Sequence, residues 1–130
     1  MGNVESNYSW SGSWKSNMPL ISGSIAIDFP EDLAILISKK TEIRGILQYS
    51  KLSIINRGQV ISIIIEVELI PENGNYVLSV KYNGEEDHTI TYLCNLDSDI
   101  NNIDQIKGIY KSVNPTDEGS FDIRKKNKNN

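Results

Sequence analysis

Few residues of this chain belong to the types that catalyse reactions, and the single histidine is the first to consider. His88 follows Asp87 directly and serines are frequent, so a Ser-His-Asp arrangement can be written down. A nucleophilic serine of that kind sits on a strained G-x-S-x-G elbow, and the sequence contains no such motif. His88 also follows three acids in a segment of turn composition, which is typical of a solvated loop. We therefore expect that the chain is not an enzyme.

Residues that bind metals are also sparse. The acidic run 85–87 lacks the spacing of an EF-hand loop, and a charged hairpin tip is its simpler interpretation. One cysteine, Cys94, and one histidine cannot form a thiolate or imidazole cluster within one chain, and Cys94 alternates with polar neighbours like a small core residue. The sequence predicts no metal site and no cofactor.

Aromatic and cationic side chains offer a different chemistry, which is binding. Six aromatic residues fall on the apolar phase of alternating segments, where they either fill a core or line a mouth at which flat rings stack on a ligand. They are Trp10, Trp14, Tyr49, Tyr82, Tyr92 and Tyr110. Five cations could pair with phosphates or simply balance an outer face that also carries acids. They are Arg44, Lys51, Arg57, Lys107 and Lys111.

Composition limits the fold that must position these residues. The chain has 130 residues, 38% of them hydrophobic, and a net charge of -4, which fits one domain with a real core and argues against a DNA or RNA binder. Isoleucine occurs 20 times and alanine twice, a composition that favours strands over helices. The most apolar stretch, 60–70, is too short for a spanning helix and the N-terminus lacks a signal sequence, so we expect a cytoplasmic chain.

Apolar and polar residues alternate with a period of two along almost the whole chain, which predicts eight or nine short strands. The continuous apolar run at 33–37 predicts either a covered strand or a brief helical turn after Pro30. The segment at 96–105 predicts a loop with one turn. Turn signals separate the strands, with Asn73-Gly74 the strongest. The others lie at 57–59, 83–87 and 114–119. The predicted strands cover residues 8–15, 21–29, 42–50, 61–69, 76–83, 89–96, 106–112 and 120–124.

Short connections make neighbouring strands antiparallel, and one-sided alternation requires two packed sheets or one closed sheet. Four glycines occupy the apolar phase of strands, where they indicate sharp coiling or close backbone approach. They are Gly12, Gly23, Gly45 and Gly108. This favours a single all-β, antiparallel up-and-down barrel of about eight strands, lipocalin-like, over a sandwich. We expect the barrel at 8–124, an N-terminal arm at 1–7 and a disordered Lys/Asn tail at 125–130.

Two segments carry a resemblance. WSGSW at 10–14 resembles the first strand of lipocalin-like and fatty-acid-binding barrels, and 107–121 (KGIYKSVNPTDEGSF) resembles the closing hairpin of bacterial β-barrel sensor domains. Together they are similar to the SMODS-associated effectors of CBASS-type antiphage systems, in which two transmembrane helices precede a β-barrel. The resemblance implies a barrel that senses a cyclic dinucleotide, forms homo-oligomers, and controls membrane-disrupting helices absent from this chain. A parent protein with those helices would be associated with the inner membrane.

Under that resemblance the phosphates of the ligand need cations and its bases need rings. The candidate cations are Arg44, Arg57, Lys107 and Lys111, with Arg44 favoured because neighbouring Gly45 would let a ligand come close. The candidate stacking rings are Trp14, Tyr49 and Tyr110. Simple alternation points Arg44 outward with Glu42, so it reaches the interior only if a bulge at Gly45 redirects it.

Two other functions remain open. Isoleucine-rich inner faces also suit a lipocalin-like carrier of a small apolar ligand. A barrel with a filled interior would instead be an interaction or inhibitor protein, such as a phage anti-defence factor. An open or filled lumen separates this last function from the first two.

Overall fold

A computed structural model describes residues 8–82, 89–96, 100–113 and 117–126, with the backbone alone described at 82, 89–96, 101, 112 and 113. Alternating, β-branched sequence forms strands throughout these residues, as expected of side chains that fit a half-buried pleated surface. The strands are β1 (Trp10–Ser16), β2 (Ser22–Ile27), β3 (Thr41–Tyr49), β4 (Val60–Glu72), β5 (Asn75–Tyr82), β6 (Thr89–Leu96), β7 (Gln105–Val113) and β8 (Asp117–Lys125). The prediction of an all-β protein is confirmed.

One antiparallel sheet contains all of these strands, and it curls on itself. Each strand pairs with the next along the chain, and β1 also pairs with β8, with Gly12 opposite Ile123 and Trp14 opposite Phe121. Antiparallel pairing therefore places the β1–β2 connection at 17–21 and the β3–β4 connection at 50–59 at the same end of the sheet. We call this the loop end.

Alternation along each strand separates a buried inner face from an outer face. On β4, Ile63, Ile65 and Val67 are at most 6% exposed, whereas Ile64 between them is 52% exposed. The inner face packs into one apolar core because successive side chains point to opposite sides of a strand. Its largest fully buried members are Trp10, Leu36, Ile65, Leu69, Leu78, Ile106 and Ile123.

Glycines permit the tight curl where two backbones meet. A β-carbon at Gly12 would overlap the carbonyl oxygen of Asp122 on β8, and one at Gly23 would overlap that of Gln48 on β3. A β-carbon at Gly45 would lie 2.9 Å from the carbonyl oxygen of Ala26. The close backbone approach expected at these three positions is confirmed.

The end opposite the loop end is covered by 3₁₀ helices. Asp32 caps the helix Leu33–Leu36 by accepting a hydrogen bond from the Ala34 amide at 3.0 Å, and Leu33 and Leu36 are buried. The helical alternative is thus confirmed for Leu33–Leu36, which turn inward to cover the core, while Ile37 after them forms a single parallel bridge with Leu69 of β4. A second 3₁₀ helix, Ile100–Asn102, lies in the segment predicted as a loop with one turn.

The turns lie where the sequence predicts them, and the strand boundaries differ from the predicted ones by up to three residues. Asn73 and Gly74 both have positive φ, 51° and 83°, as a two-residue hairpin turn requires, and Gly58 has a φ of 68°. The last turn was predicted to extend to 119, but β8 already begins at Asp117, and it continues to Lys125, one residue beyond the predicted end of the barrel. The predicted arm at 1–7, the loop at 83–87 and the tail beyond 126 lie outside the described residues.

Candidate functional site

The three rings chosen from the sequence come together inside the barrel near the loop end. Trp14 on β1 lies between the other two, with its ring centroid 5.2 Å from that of Tyr49 and 6.3 Å from that of Tyr110. Both contacts are edge-to-face, the geometry that aromatic quadrupoles favour. The Trp14 indole N–H also donates to the Ser24 carbonyl at 3.2 Å, which fixes the ring on β2.

A carboxylate holds this cluster from the side of β8. Asp117 accepts hydrogen bonds from the Tyr110 hydroxyl at 2.9 Å and from the Ser16 hydroxyl at 2.6 Å. Ser16 is 3% exposed, and its hydroxyl oxygen accepts a bond from the Met18 amide at 3.0 Å. Because Ser16 and Asp117 are 101 positions apart, no local pattern in the sequence indicates this pair.

Burial determines which of these rings a ligand could touch. Trp14 and Tyr110 are 7% and 5% exposed, so their faces are occupied by core contacts. Tyr49 is only half-buried. Of the three predicted stacking rings, it is the one with a substantial surface toward solvent.

The candidate cations lie on the other side of the sheet. Arg44 is exposed, and the register runs without interruption through Arg44 opposite Ile64 and Gly45 opposite Ile63. No bulge therefore redirects Arg44, which stays on the outer face while the aromatic cluster is inside. The other three, Arg57, Lys107 and Lys111, are also exposed.

These cations do not form one site. Arg57 lies in the β3–β4 connection, where its Nε donates to the Ser53 carbonyl at 3.1 Å. Lys107 and Lys111 lie on β7, opposite Asp122 and Glu118 of β8. The arrangement on β7 matches a charge-balanced outer face better than a common phosphate site.

Buried side chains of the described strands pack into one cluster in the interior. The cavity between β2, β5 and β8 has a volume of about 10 Å³, which is room for about one water molecule. Its lining is entirely apolar and consists of Ile25, Ile27, Phe29, Leu78, Val80, Phe121 and Ile123. This space is far below the several hundred Å³ that small-molecule sites occupy.

Larger concave regions open on the outside. A groove of about 360 Å³ lies at the ends of β2 and β3 and is lined by Ser22, Gly23, Ser24, Gln48, Tyr49, Ser50 and Lys51. A second, of about 250 Å³, lies over β1, β7 and β8 and brings Lys15 and Lys107 together with Asp122. The first groove is the better candidate for a polar ligand, since serine, glutamine, tyrosine and lysine residues line it and no acidic residue does.

Exposed aliphatic side chains at the loop end are a feature that sequence reasoning missed. Leu52 is 85% exposed and Leu20 is 66% exposed, and the two connections that carry them also expose Met18, Ile54 and Ile55. The signal was present as three aliphatic residues, Leu52, Ile54 and Ile55, outside the alternating strands. The turn residues at 57–59 predict the chain reversal, but they do not indicate that the side chains before it are exposed.

The described residues were also compared with the requirements of a metal site and of a membrane-spanning helix. Among those residues, no group of three His, Cys, Asp or Glu side chains is placed to hold a metal ion. No described helix is long and apolar enough to cross a membrane. The imidazole of His88 and the thiol of Cys94 lie outside the described side chains.

The chain matches no protein-family model, no curated protein and no solved structure.

Proposed function

We propose that this chain is a non-catalytic binding protein that makes its contacts on the outside of an eight-stranded, up-and-down barrel of lipocalin type. The observation that carries the proposal is the interior cavity of about 10 Å³. A carrier needs an enclosed space for its ligand, whereas an interaction barrel can use its interior as core. The filled core, the 3₁₀ cover at one end and the exposed features at the loop end all favour the second arrangement.

Uptake of an apolar probe tests this proposal directly. The purified chain is titrated with a fluorescent fatty-acid analogue, and the wild type should give no saturable signal. Leu78→Ala serves as the positive control because Leu78 is 2% exposed and lines the cavity, so truncation enlarges it. Ile109→Ala, at an outer position that is 53% exposed, should behave like the wild type.

Circular dichroism before each titration ensures that Leu78→Ala is folded. Saturable one-to-one uptake by the wild type, equal to that of Leu78→Ala, would favour the apolar carrier and overturn the proposal. Uptake by Leu78→Ala alone would support it.

A second candidate function is binding of a cyclic dinucleotide, and the groove beside Tyr49 favours it. Tyr49 offers a half-buried ring, Lys51 a cation, and Ser22, Ser24 and Ser50 line the same groove. A ring and a cation are what a nucleobase and a phosphate require. In the CBASS interpretation, this barrel would pass the signal to membrane helices outside the chain.

If the ligand binds in this groove, the cation that pairs with its phosphate differs from the one favoured by the sequence. Arg44 lies four residues from Gln48 on the same outer face of β3, which places it about 13 Å from the groove along the strand. Lys51 lies in the groove itself. We therefore expect Lys51, and not Arg44, to pair with a ligand phosphate.

Calorimetry with a panel of cyclic dinucleotides tests the second function. If one binds, Lys51→Ala should weaken it ten- to a hundred-fold, the usual effect of losing a charge-assisted hydrogen bond. Arg44→Ala is the matched control and should bind normally. Absence of heat with every member of the panel would contradict this function, and loss of binding in Arg44→Ala alone would place the site elsewhere on the outer face.

A further inference from the structure

Five exposed aliphatic side chains cluster at the loop end. They come from the two connections at 17–21 and 50–59, which contact each other through a hydrogen bond from the Ile54 amide to the Leu20 carbonyl at 2.9 Å. We call them the aliphatic patch: Met18, Leu20, Leu52, Ile54 and Ile55, whose exposures range from 44% to 85%. Single exposed aliphatic residues are ordinary, but five on two joined loops require an explanation.

Hydrogen bonds hold both loops in the conformation that presents the patch. In the longer loop, the Ser53 and Gly58 amides both donate to the Ser50 carbonyl, at 3.0 and 3.2 Å. The Ser50 and Ser53 hydroxyls accept from the next amides but one, those of Leu52 and Ile55. Ser53 is 1% exposed while the side chains on either side of it point to solvent. The exposure is thus a property of an ordered loop.

Backbone strain in the shorter loop also indicates that the exposed side chains are a built feature of this surface. Leu20 has a φ of 67°, a left-handed conformation that glycine or asparagine would adopt more easily. Its side chain is nevertheless 66% exposed, so core packing does not account for a leucine there. Strained residues that contribute little to packing are characteristic of functional surfaces.

The two connections that carry the patch contain two cations and no acid. The chain as a whole has a net charge of -4, yet it has no acid between Glu42 and Glu66 and none between Glu5 and Asp28. Lys51 and Arg57 flank the patch in the longer loop, and both are exposed. Two acids of β8 reach this end of the sheet. Asp117 accepts from the Ser16 and Tyr110 hydroxyls, and the carbonyl of Glu118 accepts from the Asn17 amide. A partner for this surface should therefore be apolar and anionic.

We infer that the aliphatic patch docks this chain on the surface of an anionic phospholipid bilayer. Leu52 and its neighbours would enter the boundary between headgroups and acyl chains, and Lys51 and Arg57 would contact the lipid phosphates. Membrane affinity of this kind grows with buried apolar area and with attraction to anionic lipid. The inference rests on the proposed function only in that the contact is made outside the barrel.

Shape and composition favour a bilayer over an acidic protein. At 85% exposure Leu52 protrudes and has almost no wall around it, whereas a peptide or helix is recognised by a groove. The patch also contains only leucine, isoleucine and methionine. Protein interfaces instead concentrate their energy in tryptophan, tyrosine and arginine, and leucine is under-represented among those positions.

Vesicle co-sedimentation with the full chain tests the inference. Vesicles of phosphatidylcholine containing a third phosphatidylglycerol should sediment the protein, and pure phosphatidylcholine vesicles should retain much less. Leu52→Ser together with Ile55→Ser should reduce binding at least ten-fold. Ile109→Ser, at an outer position of β7 that is 53% exposed, is the matched control and should bind like the wild type. Lys51→Gln should weaken binding about five-fold, the contribution of one cation near such a surface.

Each alternative gives a distinct result. The inference is overturned if the wild type does not bind anionic vesicles. It is also overturned if Ile109→Ser reduces vesicle binding as much as the double variant of Leu52 and Ile55 does. Self-association in light scattering that Leu52→Ser and Ile55→Ser abolish, without any vesicle binding, would show that a second copy covers the patch and would also overturn it. Probe uptake into the interior is measured separately, so failure here and failure of the proposed function are distinguishable.

Discussion

Replacing Gly12 with alanine tests how closely β1 and β8 must approach where the sheet meets itself. A β-carbon at this position would overlap the carbonyl oxygen of Asp122 and lie 2.7 Å from the α-carbon of Ile123. Ordinary contacts between such atoms are about 3.5–4.0 Å, so the two backbones must separate by about 1 Å. Backbone atoms cannot rotate away as a side chain can, and the pairing of Gly12 with Ile123 would be distorted.

The cost should lie at or above the upper end of the range for overpacked sites, about 3 kcal/mol. For a chain of this size that loss lowers the melting temperature by about 10 °C. Ser13→Ala on the same strand is the control, because Ser13 is exposed on the outer face and its loss should change stability by less than about 0.5 kcal/mol. The assay is urea unfolding followed by circular dichroism, together with a thermal melt. Equal midpoints for Gly12→Ala and Ser13→Ala would refute the close approach of β1 and β8.

Three further substitutions test other parts of the fold by the same unfolding assay. Gly74→Val should cost about 1–2 kcal/mol because a β-branched residue is strained at positive φ, whereas Asn73→Gly keeps the turn and should cost little. Asp117→Ala removes the acceptor of two hydroxyl hydrogen bonds and should cost about 2 kcal/mol; unchanged stability would mean that neither bond contributes. Ile65→Thr buries a hydroxyl in the core and should be destabilising by at least about 2 kcal/mol, whereas Ile64→Thr, one residue away, should be nearly neutral. Similar losses for these two isoleucine variants would contradict the assignment of the inner and outer faces of β4.

Local sequence determined most of the fold because its signals act over a few residues. A period of two specifies which face of a strand is apolar without reference to any partner, and residues that tolerate positive φ specify where the chain reverses. The Asn73-Gly74 turn and the glycines at 12, 23 and 45 were predicted on those grounds, and the structure confirms them. Alternation placed six aromatic residues on the apolar phase, but the clustering of Trp14, Tyr49 and Tyr110 depends on the register that brings their strands together.

Tertiary structure decided what these residues can do. Alternation cannot say whether an inner face encloses a space or fills it, because that depends on side chains from β2, β5 and β8 meeting across the barrel. It also cannot pair Ser16 with Asp117, or show that Leu52 protrudes while Ser53 beside it is buried, since these outcomes arise from contacts between distant segments. The sequence by itself determined an all-β chain with its faces and turns. Long-range packing made Trp14 and Tyr110 part of the core, kept Arg44 outside, and left the aliphatic patch exposed at the loop end.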